Sequence, residues 1–338
     1  SHDLSIPGGH LDQEEVARAI GGLGEADAVG HRIVHGGTEF SHAIVVDARV
    51  RRALNALVDL APLHQPKSLA ALDAVSAVLP GVTPVACFDT AFHASMPEAA
   101  STYAIPPEWR KRWELRRYGF HGLSHAYVSR RAADFLHLDP GRLRVVTCHL
   151  GAGASLAAVQ NGHSVDTTMG FTPLEGLVMA TRSGTVDPGL VLWLEEHVGT
   201  PPAALATTLE NRSGLLGLAG SSDMREVLAR AAAGDARARL ALDVYVHRLR
   251  AGIASMAAAM NGLDVLVFTG GVGEHAPEVR ARAAAGVGFL GVAVDSAANE
   301  AAAGDTDIGA REAPVHTLVI EAREDLEVAR QVRSLLTD

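Results

Sequence analysis

The stretch Val145–Gly189, VVTCHLGAGASLAAVQNGHSVDTTMGFTPLEGLVMATRSGTVDPG, joins a buried strand, a glycine turn, a hairpin and an arginine-bearing loop in one run. Val145 to Leu150 reads as an apolar run of strand length, the pattern of a strand covered on both faces. Gly151 and Gly153 break it. Ser155–Gln160 and His163–Thr168 then flank Asn161-Gly162, and Asn-Gly signals a tight hairpin because a type I′ turn needs positive φ at both central positions. A glycine turn at the end of a buried strand brings bare backbone N–H groups close to a ligand, which is how phosphate is held without a side chain. Downstream, Thr181-Arg182-Ser183-Gly184 and Asp187-Pro188 offer a guanidinium beside hydroxyls and a carboxylate.

The rest of the chain must supply the other half of such a site. At 338 residues it exceeds what one core usually supports, so two domains are expected. A formal net charge of −10 argues against nucleic acid and anionic membrane as partners. Lys67 and Lys111 are the only lysines, and neither sits in a G-K-[ST] context. A Walker A loop is therefore excluded, and nucleotide phosphates have to be held by glycine backbone, hydroxyls, arginines and metal. Cys87 and Cys148 lie inside apolar strand runs, as small buried thiols do, and fit a reducing, cytoplasmic setting. No run reaches the ~18 apolar residues of a membrane span, and Ser1–His10 are not signal-like.

Upstream of the opening stretch, Asp12 and Glu15 suggest a capping box for a helix to Gly21. Ala28–Val34 alternates like a strand, placing Arg32 and Val34 on one face and His31, Ile33 and His35 on the other. Asp47 caps a helix, Leu63-His64 lie in a loop, and Ser68–Leu79 forms a second helix ahead of the strand Pro84–Phe88. Asp89 stands at that strand's carboxyl end, where ligands bind in open α/β sheets, although a helix cap would explain it equally. His121 and His125 have the four-residue spacing of a zinc pair, but His121 abuts Gly122 and no third ligand follows. From Pro188 onward the chain reads as mostly helical until the apolar strand Leu263–Phe268. That strand runs into Gly270-Gly271-Val272-Gly273-Glu274 and a helix from Pro277, a nucleotide-binding arrangement whose glycine spacing does not fit the dinucleotide fingerprint. A strand at Val315–Ile320 and a helix from Glu324-Asp325 end the chain.

Six of these segments resemble the acetate kinase family, in order. They are Gly30–Gly37 (GHRIVHGG), Phe88–His93 (FDTAFH), Tyr118–Gly122 (YGFHG), Met169–Gly176 (MGFTPLEG), Thr181–Gly184 (TRSG) and Gly270–Glu274 (GGVGE). The resemblance implies an α/β, two-domain fold of the actin and hexokinase (ribonuclease H-like) type, with a nucleotide cleft between domains. Residues 1–93 with 326–338 would form the N-terminal domain and 94–325 the nucleotide-binding C-terminal domain. It also implies a homodimer and reversible phosphoryl transfer from ATP to acetate, giving acetyl phosphate and ADP. At matching positions, Arg32, Asp89, His121 and Arg182 are implied as the catalytic set. Arg32, Val34, Leu63, Phe120 and Pro173 are implied to bind acetate. The nucleotide falls to Gly151, Gly153, Ser155, Asp223, Met224, Arg225, Gly271, Val272, Gly273 and His275, and Mg2+ or Mn2+ to Glu324 and Asp89.

The chemistry agrees with these roles. A carboxylate with a pKa of about 4 to 5 is ionised at neutral pH, so its attack needs no general base. It needs cancellation of repulsion between two anions, and in-line alignment. Arg32 is expected on the acetate carboxylate, Arg182 and His121 on the moving phosphoryl group, and Asp89 with Glu324 on the metal; Asp89 as a base is the alternative. The family's opening strands and phosphate loop have no match before Asp12 and are expected upstream of Ser1. Three further departures are Ala152 for a usual Asn, His275 for an Asn and Leu123 for a Thr. Competing readings are a propionate or butyrate kinase, because one methylene discriminates weakly, and a nucleotide-binding homologue without catalysis.

Overall fold

A computed structural model describes residues 13–21, 24, 26–61 and 65–337. Asp12 of the expected capping box and Leu63 of the expected acetate pocket lie outside them; the helix itself runs Gln13–Ile20. The chain divides into two compact units. The first comprises residues 1–94, 120–123 and 323–338, and the second residues 95–119 and 124–322.

The first unit is built on strands β1 (Ala28–Ile33), β2 (Ile44–Val45) and β3 (Thr83–Phe88) in the order β1-β3-β2. β1 and β3 are parallel, with Arg32 opposite Cys87 and Ile33 opposite Phe88, while β2 pairs antiparallel to β3. The expected alternation holds at His31, Arg32 and Ile33, which are buried, exposed and buried, but β1 ends at Ile33, so Val34 and His35 lie in the loop that follows. Ile33, Phe88, Phe40, Val50, Leu54, Leu69 and Leu72 make one core against the helices Ala48–Ala56 and Gln65–Val78. On the other face Val85 and Cys87 pack with Leu123 and with Val332 of the helix Glu324–Thr337. Leu123, the departure from Thr, is thus a core residue at 1% exposure.

The second unit carries strands β4 (Arg144–Leu150), β5 (Ala154–Gln160), β6 (His163–Thr167), β7 (Val265–Thr269), β8 (Thr306–Asp307) and β9 (His316–Val319) in the order β6-β5-β4-β7-β9-β8. β4, β5 and β6 form an antiparallel meander, and β7 and β9 continue it in parallel with β4. The β5–β6 turn is made by Asn161 and Gly162 at φ 54° and 80°, the two positive angles a type I′ turn requires. β4 and β7 are buried along nearly their whole length, as parallel strands covered on both faces must be. The long helix Ala236–Ala259 packs across β4 and β5, and Leu242, Tyr245, Leu249, Ile253 and Met256 are among its buried residues. At Gly252 an added Cβ would sit 2.7 Å from Leu156 Cδ1, so any larger residue would have to displace that leucine to keep the helix this close to the sheet. Asp187, Asp223 and Asp235 accept backbone N–H bonds at the starts of the helices that follow them, each a cap worth about 1 kcal/mol.

Candidate active site

In the first unit the candidate residues converge at the carboxyl ends of β1 and β3. Arg32, on the exposed face of β1, donates Nε to Asp89 Oδ1 (3.0 Å) and Nη2 to Oδ2 (2.8 Å). Asp89 is 2% exposed while the Arg32 side chain keeps 43% exposure, so the carboxylate is a buried anchor that aims a half-exposed cation. The Asp89 charge holds the Arg32 guanidinium pKa above its ordinary value, against the opposing effect of burial. Between a metal-directed carboxylate, a helix cap and a base, the geometry thus gives Asp89 a fourth task, orienting Arg32.

The loop after β1 is tied down from several sides. The His35 N–H donates to Gln65 Oε1, Gln65 Nε2 returns a bond to the His35 carbonyl, and the Gly36 N–H donates to Thr90 Oγ1. Val34, at the start of this loop, is half-buried. The segment Phe120–Gly122 hangs from the same framework. The Gly122 N–H donates to the Asp89 carbonyl at 2.9 Å, and a Cβ on Gly122 would collide with that oxygen, which explains glycine here. His93 Nε2 lies 3.1 Å from the Phe120 carbonyl, and a carbonyl only accepts, so Nε2 carries the proton. Phe120 is 1% exposed and meets the His35 ring edge-on at 5.5 Å. Between Phe120 and Gly122, His121 adopts φ 55°, a left-handed conformation uncommon for a side-chain-bearing residue. Burial depresses His35 and His93 to pKa values of about 4, so both are neutral at physiological pH.

Glu324 opens the helix Glu324–Thr337 and lines, with Arg32, Asp27, Gly30 and Val328, a groove of about 590 Å³. Its neighbour Asp325 is committed to Arg323, with Oδ2 2.8 Å from Nη2. That difference supports Glu324 over Asp325 as the carboxylate available to a cation.

The second unit holds the nucleotide-side candidates. The Gly151–Gly153 turn follows β4, with Ala152 exposed at its tip. Ser155 sits behind it, wholly buried, with its hydroxyl 2.8 Å from His125 Nε2 while His125 Nδ1 meets Thr147 Oγ1 at 2.7 Å. Sequence spacing suggested His125 only as a doubtful zinc ligand; its place is a buried strut between β4, β5 and the helix Gly122–Leu136. Arg182 is half-buried and donates Nη1 to the Pro173 carbonyl at 3.4 Å, so the arginine and the expected pocket residue are structurally linked. Burial lowers the Arg182 pKa, with Glu210 opposing.

Asp223 caps the helix Met224–Ala232 and pairs with Arg225 through Oδ2–Nη2 at 2.6 Å; this pairing pulls the Asp223 pKa down to about 2. Met224 is buried beneath them, a packing residue by position. Gly271, Val272, Gly273 and His275 belong to the short helix Gly270–His275, where the sequence suggested only a turn. Glu274 steadies it by accepting from the Gly270 and Ala322 N–H groups. Behind it Arg280, 1% exposed, donates to the Gly273 and Glu274 carbonyls and to Asn299. Neither Arg280 nor Asn299 carried a signal in the sequence, since a fully buried arginine bound to carbonyls follows no local pattern.

Three antiparallel strands continued by two parallel ones, with a glycine turn after the first and a glycine-opened helix after the fourth, give the second unit the mixed sheet of the actin and hexokinase type of α/β fold, the fold of the acetate kinase structures this chain resembles. The sequence matches the acetokinase family over residues 11–330, and the chain belongs to that family. A relative from Nostoc punctiforme named acetate kinase is 48% identical over 320 residues, 94% of this chain and 79% of that one. The crystal structure of Porphyromonas gingivalis acetate kinase aligns with a TM-score of 0.90 and 40% identity, covering 96% of this chain and 85% of that one. A propionate kinase from Francisella tularensis aligns with a TM-score of 0.88 and 39% identity, covering 94% and 82%.

Proposed function

We propose that this chain catalyses reversible transfer of the γ-phosphoryl group of ATP to acetate, giving acetyl phosphate and ADP by direct in-line displacement. The observation that carries the reading is the double use of Asp89, whose carboxylate anchors Arg32 and whose backbone carbonyl accepts the Gly122 N–H that follows Phe120 and His121. A guanidinium held by a buried carboxylate, with His121 on a backbone segment tied to the same residue, supports the reading. An acetate oxygen forms the new bond to phosphorus while the bond to the β–γ bridging oxygen breaks, and the electron pair leaves with ADP. Both reactants are anions, so positioning and charge cancellation do most of the work, and oriented donors cost no reorganisation at the moment of reaction. We assign Arg32 to the acetate carboxylate, Val34, Leu63, Phe120 and Pro173 to its methyl group, and Arg182 and His121 to the transferring phosphoryl group. Gly151 and Gly153 are assigned to the nucleotide phosphates, with Ser155 setting the turn from behind. Asp223, Met224, Arg225, Gly271, Val272, Gly273 and His275 form the adenosine side.

A divalent cation, Mg2+ or Mn2+, would neutralise phosphate charge when bound. Glu324 fits as its carboxylate, since it lines the groove beside Arg32, whose charge it faces, while Asp325 in the same groove is paired with Arg323. Asp89 fits less well, because both its oxygens already accept from Arg32. Residues 1–93 with 326–338 and residues 94–325 are assigned as the two domains. A homodimer suits the apolar exposure of Leu190, Leu192, Trp193 and Val198, each 48% to 58% exposed. A net charge of −10 and two buried free cysteines favour a cytoplasmic protein without nucleic-acid or membrane partners. No helix among the described residues is long and apolar enough to cross a membrane. Hydroxylamine trapping of acetyl phosphate from ATP and acetate tests the activity. ATP binding without acyl phosphate would instead support a non-catalytic homologue. The propionate kinase neighbour keeps propionate as the second reading, and acyl-chain kinetics separate the two.

A further inference from the structure

The loop Met169–Gly176 carries Pro173, yet it has no regular secondary structure of its own. It is held by three side chains to which the reading above gives no role. Arg117 Nη1 donates to the Met169 carbonyl at 3.0 Å and the Thr168 carbonyl at 3.3 Å, and its Nη2 donates to Glu175 Oε1 at 2.7 Å. Tyr103 Oη donates its single proton to Glu175 Oε2 at 2.6 Å and accepts the Phe171 N–H at 2.9 Å. Residues Tyr118 and Gly119 both donate backbone N–H to the Gly170 carbonyl. A Cβ on Gly170 would collide with Glu175 Oε2 and Tyr103 Oη, so the loop backbone lies directly against the clamp. The Arg117 and Glu175 side chains are 18% and 33% exposed, which shields the pair from solvent more than a surface ion pair. The clamp leads onward to chemistry: Pro173, inside the clamped span, gives its carbonyl to Arg182 Nη1.

We infer that Glu175, gripped by Arg117 and Tyr103, is a positioning residue that fixes the Pro173 wall and thereby sets the acyl-chain selectivity of the site. The inference rests on the assignment of Pro173 to the acyl pocket. A pocket rejects one extra methylene by about 10- to 200-fold only if its wall does not yield. Glu175 can bind Arg117 and Tyr103 together because a carboxylate offers two acceptor oxygens. An amide offers one, and its NH2 group would face a donor.

The test compares wild type, Glu175→Gln and Tyr103→Phe by kcat/KM for acetate and for propionate, by KM for ATP, and by amide hydrogen exchange over residues 168–176. In both variants the propionate-to-acetate ratio of kcat/KM should rise about threefold or more, with KM for ATP unchanged and exchange in the loop faster. A ratio that stays constant while both substrates fall together would overturn the inference, because a general loss of structure lowers both alike. Unchanged loop exchange would overturn it as well. If Glu175→Gln does not fold, Tyr103→Phe decides alone, since it deletes one hydroxyl and keeps the ring. A wild type that phosphorylates neither acid would remove the functional reading instead, and the exchange measurement would still judge the clamp.

Discussion

Asp89 grips Arg32 through both carboxylate oxygens, from a position nine-tenths sheltered from solvent, across 57 residues of sequence. The pair is an aiming device before it is a stabilising one. A guanidinium held in one orientation meets a carboxylate without first losing rotamer freedom.

Asp89→Asn should therefore cut kcat/KM for acetate by about 100-fold or more while leaving KM for ATP within about threefold, because it frees Arg32 without touching the nucleotide side. Steady-state kinetics with each substrate varied in turn measure both. Equal loss toward acetate and ATP would show that Asp89 acts elsewhere.

Arg182→Ala tests the opposite end of the reaction. If the guanidinium acts on charge that develops during transfer, kcat should fall by about 100-fold or more with ATP affinity little changed. Calorimetric ATP titration alongside turnover reads the two separately. Parallel losses in both would assign Arg182 to ground-state binding.

Ala152 stands exposed at the tip of the Gly151–Gly153 turn, proposed to face the nucleotide phosphates. A hydrogen bond to a charged group is worth about 1.5 to 3 kcal/mol, so Ala152→Asn should lower KM for ATP by about tenfold or more if its amide reaches a phosphate. An unchanged KM would mean that backbone contacts alone carry the phosphates.

Acid should loosen the first unit in a defined window. His31, His35 and His93 are depressed by burial from 6.5 to about 4, with Asp73 partly offsetting the shift at His31 and the Phe120 carbonyl at His93. Above pH 6.5 both folded and unfolded chains hold them neutral. Between 6.5 and 4 only the unfolded chain takes up protons, so stability falls with pH by up to about 1.4 kcal/mol per unit for each histidine. Aspartates held low by arginines, such as Asp264 beside Arg144, lose their contribution only below their ordinary 3.8. Denaturant unfolding from pH 7.5 to 4.5 should show the decline, and His93→Gln, which keeps a donor for the Phe120 carbonyl, should make it shallower.

Much of the fold was legible because its signals are local. The apolar runs of β4 and β7, the Asn161-Gly162 turn and the Asp47 cap each depend on a few adjacent residues, and each stands where the sequence puts it, within two residues at the strand ends. The candidate site was legible residue by residue, mainly through its resemblance to a family, but its wiring was not. Arg32 and Asp89 are 57 positions apart and Arg117 and Glu175 are 58, so no periodicity links them. Glu175 stood in a quoted motif without a task, since only the fold brings Tyr103 and Arg117 to it. The Ser155 hydroxyl, read with a phosphate turn, belongs to His125, a partner 30 residues away.

The most direct measurement is steady-state acyl phosphate formation by the purified chain with acetate, propionate and butyrate, each varied at saturating ATP and Mg2+. The highest kcat/KM is expected with acetate, with ADP and acetyl phosphate formed one for one. A higher value for propionate or butyrate would contradict the substrate assignment, and ATP binding with no acyl phosphate from any of the three would contradict catalysis itself.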